Sequence, residues 1–296
     1  MPENLQHIPV MREEVLKFLN LSPGCTVVDG TVGLGGHAQV ILDAIGPQGR
    51  FVGLDFDHDA LAMAQDRLKN YTNCTLVHAN FRNLDTALAQ LHLHGVDGIL
   101  LDLGISSLQL EKPSRGFSIK YDSPLDMRMN QNEQLSAFDL VNFLPQENLS
   151  DILRKYGQER WHNRIARAIV RERSKSTITS TGQLAQLVMR VVPYRYSKIH
   201  PATRTFQALR IAVNDELEAL REALKKCLEL IKPGGRICII AFHSLEDGLV
   251  KHQFRSFASE GRIKIITKKP ITPTEEEVRL NPRARSAKLR AAERIA

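Results

Sequence analysis

The segment Val27-Val28-Asp29-Gly30-Thr31-Val32-Gly33-Leu34-Gly35-Gly36-His37-Ala38 decides how this chain is read. Two β-branched residues lead into an acid, three glycines fall within four positions, and an apolar helical pattern begins directly afterwards. That order is strand, tight turn, helix N-terminus. Glycine opens dihedrals closed to other residues and lets a ligand approach the main chain, and the first N–H groups of a helix attract an anion. The spacing Gly33-x-Gly35-x-x-Ala38 fits a nucleotide-binding fingerprint, a pattern that plain glycine turns also produce. Its meaning depends on what lies around it.

Downstream, a helical pattern with Val40, Ile41, Ala44 and Ile45 stops at Gly46-Pro47-Gln48-Gly49, and a second strand, Phe51 to Leu54, ends on Asp55. A doubly wound sheet places the carboxylate that holds ribose hydroxyls at this position. Asp57 is better read as the cap of the helix bearing Leu61, Ala64 and Leu68. A third strand, Cys74 to His78, brings Phe81 to the same edge, and a fourth, Gly98 to Leu101, ends on Asp102. Strands alternating with helices at this spacing predict a parallel α/β sheet. Asp29, Asp55 and Asp102 then share its ligand rim. One acid at a strand end is as readily a helix cap; three beside a glycine loop point to a site.

After Asp102 the rhythm breaks. Residues 103–109 read as loop and no fifth strand follows; the sheet resumes at Gly235 to Phe242, behind a covering helix over 214–231 with Leu217, Leu220, Leu224, Leu228 and Ile231 on one stripe. The expected organisation is therefore a sheet domain from 1–109 and 211–296 with a helical insertion at 110–210. His243 and Ser244 arrive at the ligand rim, Ile263 to Ile266 forms a further strand, and the basic C-terminal segment around Arg283 and Arg285 begins as loose chain.

Charge separates these parts. The chain carries a net +7, but residues 151–210 alone hold 13 Lys and Arg against 3 Asp and Glu, so the remainder is slightly acidic. Arg160, Arg164, Arg167 and Arg171 recur at helical spacing beside a stripe of Trp161, Ile165 and Ile169 that reads as core. A solvated helix face normally mixes signs. An unmixed arginine row, joined by Arg190, Arg195, Lys198, Arg204 and Arg210, fits a phosphate-binding face. The first residues carry acids instead of a basic, apolar leader, and no apolar run approaches a membrane span. Cys25, Cys74, Cys227 and Cys238 are scattered in apolar segments, as core thiols are in a reducing cytoplasm. They show no metal-ligand spacing, and no metal is expected.

Two cofactors suit such a rim, a dinucleotide or S-adenosylmethionine. Asp29 stands four residues before Gly33 and leaves room for a carboxylate beside an amino-acid ammonium, which favours S-adenosylmethionine. A dehydrogenase acting on a small molecule also has little use for a basic face. Attack on the methyl by cytosine carbon-5 requires a cysteine at the rim, and none stands there. An exocyclic amine needs polar acceptors near a base that is flipped out or single-stranded. No G-x-S-x-G elbow supports a serine hydrolase at Ser106 or Ser244.

Six motifs in order carry a resemblance: Asp29-Gly-Thr-x-Gly-x-Gly-Gly-His37, Asp102-Leu-Gly-x-Ser-Ser107, Pro124-Leu-Asp-Met-Arg-Met129, His200-Pro-Ala-Thr-Arg-Thr-Phe-Gln-Ala208, Phe242-His-Ser-Leu-Glu-Asp247 and Asn281-Pro-Arg-Ala-Arg-Ser286. Over nearly its whole length the chain resembles the RsmH (MraW) family, bacterial enzymes that methylate the exocyclic N4 of a cytidine in small-subunit ribosomal RNA. The resemblance implies an α/β, class I (Rossmann-like) methyltransferase sheet with an inserted helical substrate-recognition domain. It also implies S-adenosylmethionine contacts at Gly35, Gly36, His37, Asp55, Phe81, Asp102 and Gln109. Leu108 departs from the family's frequent Ser-Ser-Pro-Gln, and the Asp-Pro-Pro-Tyr signature of other amino-methyltransferases is replaced by Asp102-Leu103-Gly104-Ile105.

The expected reaction is direct transfer from sulfonium to amine, with Asp102, Ser106 and His243 as candidates to orient the amine and receive its proton. Arg164, Arg167, Arg171, Arg204 and Arg285 are the expected RNA contacts. The substrate is free RNA or an assembled small subunit, and a homodimer stays open. Rival readings are a methyltransferase acting on a ribose hydroxyl or a DNA amine, and a non-catalytic ribosome assembly factor.

Overall fold

A computed structural model of the chain describes residues 9–193 and 199–295. The chain divides into two compact units, residues 1–104 with 217–296 and residues 105–216. The sequence pattern puts its domain boundaries at 109/110 and 210/211.

The first unit opens with α1 (Arg12–Leu19), then alternates β1 (Thr26–Asp29), α2 (Gly36–Ile45), β2 (Arg50–Asp55), α3 (His58–Leu68), β3 (Cys74–His78), α4 (Leu84–Gln90) and β4 (Val96–Asp102). The second unit holds α5 (Ser107–Glu111), α6 (Ala137–Phe143), α7 (Gln146–Gly157), α8 (His162–Arg173), α9 (Thr181–Val191) and α10 (Thr203–Asn214). The chain then returns through α11 (Glu216–Leu230) to β5 (Ile231–Ala241), α12 (Ser244–Ser259), β6 (Ile263–Ile265), α13 (Glu275–Leu280) and β7 (Lys288–Arg294).

The strands form one sheet in the order β3-β2-β1-β4-β5-β7-β6. The first five are parallel, and β7 runs antiparallel between β5 and β6. This is the doubly wound α/β sheet expected from the sequence. Successive strand residues face opposite sides, so Val28, Val52 and Ile99 pack with α4, α11 and α12, while Val27, Phe51 and Leu100 pack with α1, α2 and α3. Strand order reverses between β1 and β4, and a crevice opens beyond the carboxyl ends of the strands at such a switch point. Asp29 and Asp102 sit there.

The C-terminal segment corrects the sequence reading. A 3-10 turn over Pro282–Ser286 leads directly into β7, which is buried in the sheet. Its Arg290 is 7% exposed and donates from Nε to Asp247 of α12 at 2.6 Å, and Lys288 Nζ reaches the same carboxylate at 3.3 Å. The basic residues that suggested loose chain include the anchors of a central strand.

In the second unit Ile165, Ala166, Ile169, Leu184, Val188, Phe206 and Leu209 form a core of their own. Ile105 and Leu110 pack against it, which is why this unit begins before α5. The Pro124–Met129 motif is a clamped loop. Buried Met127 has φ 61, its carbonyl accepts from Asn214 Nδ2 at 2.8 Å, and Arg115 donates to the carbonyls of Arg128 and Met129. All four cysteines are free, and burial pushes the Cys74 thiol up to about 11 and Cys227 up to about 12. Among the described residues no helix is long and apolar enough to cross a membrane.

Candidate active site

The loop after β1 is stitched to its neighbours by main-chain bonds. Gly30 N–H donates to Leu100 O at 2.9 Å and Val32 N–H to Leu54 O at 2.8 Å. A Cβ on Gly30 would lie 2.5 Å from Leu101 Cδ2 and 3.1 Å from Phe81 Cβ, so the chain passes close to Phe81 and a larger residue would have to displace the Leu101 side chain. Gly33 and Gly35 have φ of 53° and 78°, the left-handed region that other residues enter at a cost. Gly35 leads into α2 without any side chain capping the helix, which leaves its first N–H groups for a ligand.

Asp55 braces this loop from the end of β2. Its Oδ2 accepts from Gly33 N–H at 2.8 Å and its Oδ1 from Asp57 N–H at 2.8 Å. Each oxygen keeps a lone pair for a further donor, such as a ribose hydroxyl. Burial pushes the Asp55 carboxyl up to about 6 despite those two bonds. Asp57 caps α3, accepting from Asp59 N–H, as its position in the sequence indicates.

Asp29, His37 and Asp102 form a polar cluster behind the loop. Thr31 links them: Asp102 N–H donates to Thr31 Oγ1 at 2.6 Å, and Thr31 donates to Asp29 Oδ1 from its N–H at 2.9 Å and its hydroxyl at 3.2 Å. His37 Nε2 lies 3.6 Å from Asp102 Oδ2, with side-chain exposures of 5% and 20%. Asp29 is 1% exposed. Burial pushes its carboxyl up to about 7; the charge of His37 and the Thr31 N–H oppose this, and Asp102 adds to it. Asp29 Oδ2, Asp102 Oδ1 and both ring nitrogens of His37 are buried without a hydrogen-bond partner. Buried polar atoms are normally satisfied, and four orphans at one rim mark a place where a polar ligand completes the structure. The sequence reading gave Thr31 no role; its position one residue into the turn, two after an acid, was the available signal.

These groups fit S-adenosylmethionine. The unpartnered oxygens of Asp29 and Asp102 suit an ammonium, the uncapped N–H groups of α2 suit the methionine carboxylate, Asp55 keeps lone pairs that suit hydroxyl donors, and Phe81 beside Gly30 offers an aromatic ring.

The other sequence-derived candidates have structural duties. Ser106 is the N-cap of α5: its Oγ accepts from Gln109 N–H at 3.2 Å, and Gln109 Oε1 accepts from Ser106 N–H at 3.0 Å. Ser106 and the buried Gln109 therefore hold each other in a capping box, on the second unit. His243 is the N-cap of α12. Its Nδ1 accepts from Glu246 N–H at 3.3 Å, and Glu246 Oε2 accepts from the N–H groups of Phe242 and His243. Its Nε2 is 3.2 Å from Glu246 Oε1, so the ring is aimed along its own helix start.

On the second unit, Ile165 and Ile169 of α8 are fully buried and Trp161 is half-buried with Arg160 over its ring. Arg164, Arg167 and Arg171 are exposed on the same helix, and none forms an ion pair among the described residues. Arg204 is exposed and donates to Gln158 O at 3.3 Å. Arg210 leaves the row: its guanidinium forms two 2.9 Å bonds to Glu216. Arg173 is tied to the carbonyls of Val141 and Leu144. Arg195 and Lys198 lie outside the described residues. Arg285 is exposed on the 3-10 turn of the first unit.

Known proteins give this geometry a family. Residues 4–295 match the MraW methylase family. A ribosomal RNA small subunit methyltransferase H from Syntrophus aciditrophicus is 50% identical over 307 residues, covering 98% of each chain. One of the same name from Halothermothrix orenii is 45% identical over 308 residues, covering 98% of this chain and 99% of that one. Among solved structures, a putative rRNA methylase from Clostridium thermocellum superimposes with a TM-score of 0.48 at 14% identity, covering 96% of this chain and 93% of that one. A match that runs through the glycine loop, its three rim acids and both units alike means that this chain belongs to the MraW methylase family.

Proposed function

We propose that this protein transfers a methyl group from S-adenosylmethionine to the exocyclic N4 of a cytidine in small-subunit ribosomal RNA. The observation that carries the reading is the rim built by Asp29, the glycine loop, Asp55, Phe81 and Asp102 in a chain of the MraW methylase family. The names of the relatives supply the RNA, and the motif resemblance supplies the atom.

When bound, the cofactor supplies an electrophilic methyl on sulfonium, so the protein's task is to position the amine and take its proton. The backbone of Gly35 and Gly36 with His37 would hold the methionine end, Asp55 the ribose and Phe81 the adenine. Asp102 accepts a hydrogen bond from the amine. Ser106 acts by fixing Gln109 on α5. His243 secures the start of α12 next to the rim. Arg164, Arg167, Arg171 and Arg204 neutralise RNA phosphates, with Arg285 as a separate basic contact.

The test is methylation of free small-subunit RNA and of assembled subunits with labelled S-adenosylmethionine, followed by digestion and nucleoside identification. N4-methylcytidine is the expected product. Label on a ribose, or cofactor binding with no transfer to either substrate, would refute the reading and favour one of its rivals.

A further inference from the structure

The cluster of Asp29, His37 and Asp102 has more polar atoms than its surroundings satisfy, and their exposure is graded from 1% at Asp29 through 5% at His37 to 20% at Asp102. Two carboxylates and an imidazole are packed together here, with His37 Nε2 3.6 Å from Asp102 Oδ2 and four of their buried polar atoms unpartnered. The groups that face it are few. Thr31 bonds both carboxyl-bearing residues, the Cys238 thiol on β5 feels the charge of Asp102, and Asp55 on β2 is turned to the N–H groups of Gly33 and Asp57. No lysine or arginine forms an ion pair with the cluster among the described residues, so its charge is set by its own protons and by what binds.

Methyl transfer changes that charge. The new N–C bond forms as the S–C bond breaks, the bonding pair stays on sulfur, and sulfonium becomes a neutral thioether. The amine nitrogen gives up one proton in the same event. We propose that Asp29, His37 and Asp102 act together as the proton store of the reaction: the proton enters at Asp102, is passed to the buried pair behind it, and stays there while S-adenosylhomocysteine is bound. One positive charge leaves the sulfur and one enters the cluster, so the buried site never carries an uncompensated charge. Asp102 is the member that meets the amine, and His37 and Asp29 are positioning residues that act through it. Burial places the Asp29 carboxyl near neutrality, where such an exchange is cheap. The inference rests on the S-adenosylmethionine reading above.

Calorimetric titration of the whole protein with S-adenosylmethionine and with S-adenosylhomocysteine, in buffers of different ionisation heat, counts the protons taken up with each ligand. S-adenosylhomocysteine should bind with about one more proton than S-adenosylmethionine, and the ratio of their Kd values should change up to about tenfold per pH unit above neutrality. Asp29→Asn and His37→Gln should each shrink that difference. Equal proton uptake for both ligands in the unmodified protein would overturn the proposal with the cofactor reading intact, as would a full difference surviving in both variants. Failure of both ligands to bind would overturn the cofactor reading and the proposal with it.

Discussion

Thr31→Val tests the joint between the glycine loop and β4. Valine keeps the shape and β-branching of threonine but removes one acceptor and one donor. The Asp102 N–H loses its 2.6 Å partner, and Asp29 Oδ1 loses the 3.2 Å hydroxyl bond while keeping the Thr31 main-chain N–H at 2.9 Å. Leaving a buried donor unsatisfied costs about 1–3 kcal/mol, and a net hydrogen bond to a partly charged carboxyl adds about 1 kcal/mol, for a total of roughly 2–4 kcal/mol. With a urea m-value of about 2 kcal/mol/M, the midpoint of the sheet unit's transition should fall by roughly 1–2 M with m unchanged. The assay is urea unfolding followed by a probe on the sheet unit, because two units need not unfold in one step. Thr31→Ser keeps the hydroxyl and should recover most of the loss. A valine variant as stable as the parent, or a serine variant as damaged as valine, would show that the hydroxyl bridge contributes nothing.

Three further outcomes follow from the same coordinates. Asp29 holds its proton in the fold up to about pH 7 against a model-peptide value of 3.8, so its contribution to stability declines as pH rises from about 4 to about 7 and is level above that; Asp29→Asn should therefore gain stability over the parent at pH 8, by up to about 4 kcal/mol relative to the comparison at pH 4, and a pH-independent difference in thermal unfolding would contradict this. Burial raises the Asp247 carboxyl, but bonds from Arg290 and Lys288 outweigh burial and hold it below the usual range. Arg290→Met strips the shorter of these bonds from β7 and should cost on the order of 3 kcal/mol at pH 7, declining as pH falls from about 4 through the lowered native value of Asp247, as read from urea midpoints. Replacing Arg164, Arg167 and Arg171 together by glutamine should weaken RNA binding and reduce the slope of log K against log salt by roughly 2, at about 0.7 per single-strand phosphate contact; an unchanged slope would remove α8 from the RNA interface.

Much of the sheet was legible because its signals are local. Apolar runs ending in Asp29, Asp55 and Asp102 mark strand ends, and the glycines mark the turn that a left-handed backbone requires. Charge sign and helical spacing likewise separate the arginines of α8 from its core stripe. Three readings needed contacts that no spacing encodes. Arg210 belongs to the basic row by composition and to Glu216 by geometry. By sequence Ser106 and His243 are candidates to orient the amine and receive its proton, yet each spends its side chain on the N–H groups of its own helix. The segment after Asn281 is rich in arginine, so its entry into the sheet as β7 is visible only once Asp247 and the strand partners are in place.

The sequence by itself determined the order of the first four strands and their helices, the rim on which three acids fall, and where the positive charge is concentrated, because each depends on residues within a turn or two of one another. Tertiary structure alone decided which polar groups are satisfied. Asp29, Thr31, His37 and Asp102 come from a strand, a turn, a helix and a second strand up to 73 positions away, and the sheet register that pairs Asp29 with Leu100 packs them together out of water. Burial, a property of the whole fold, turns those four ordinary residues into a site whose protons can move.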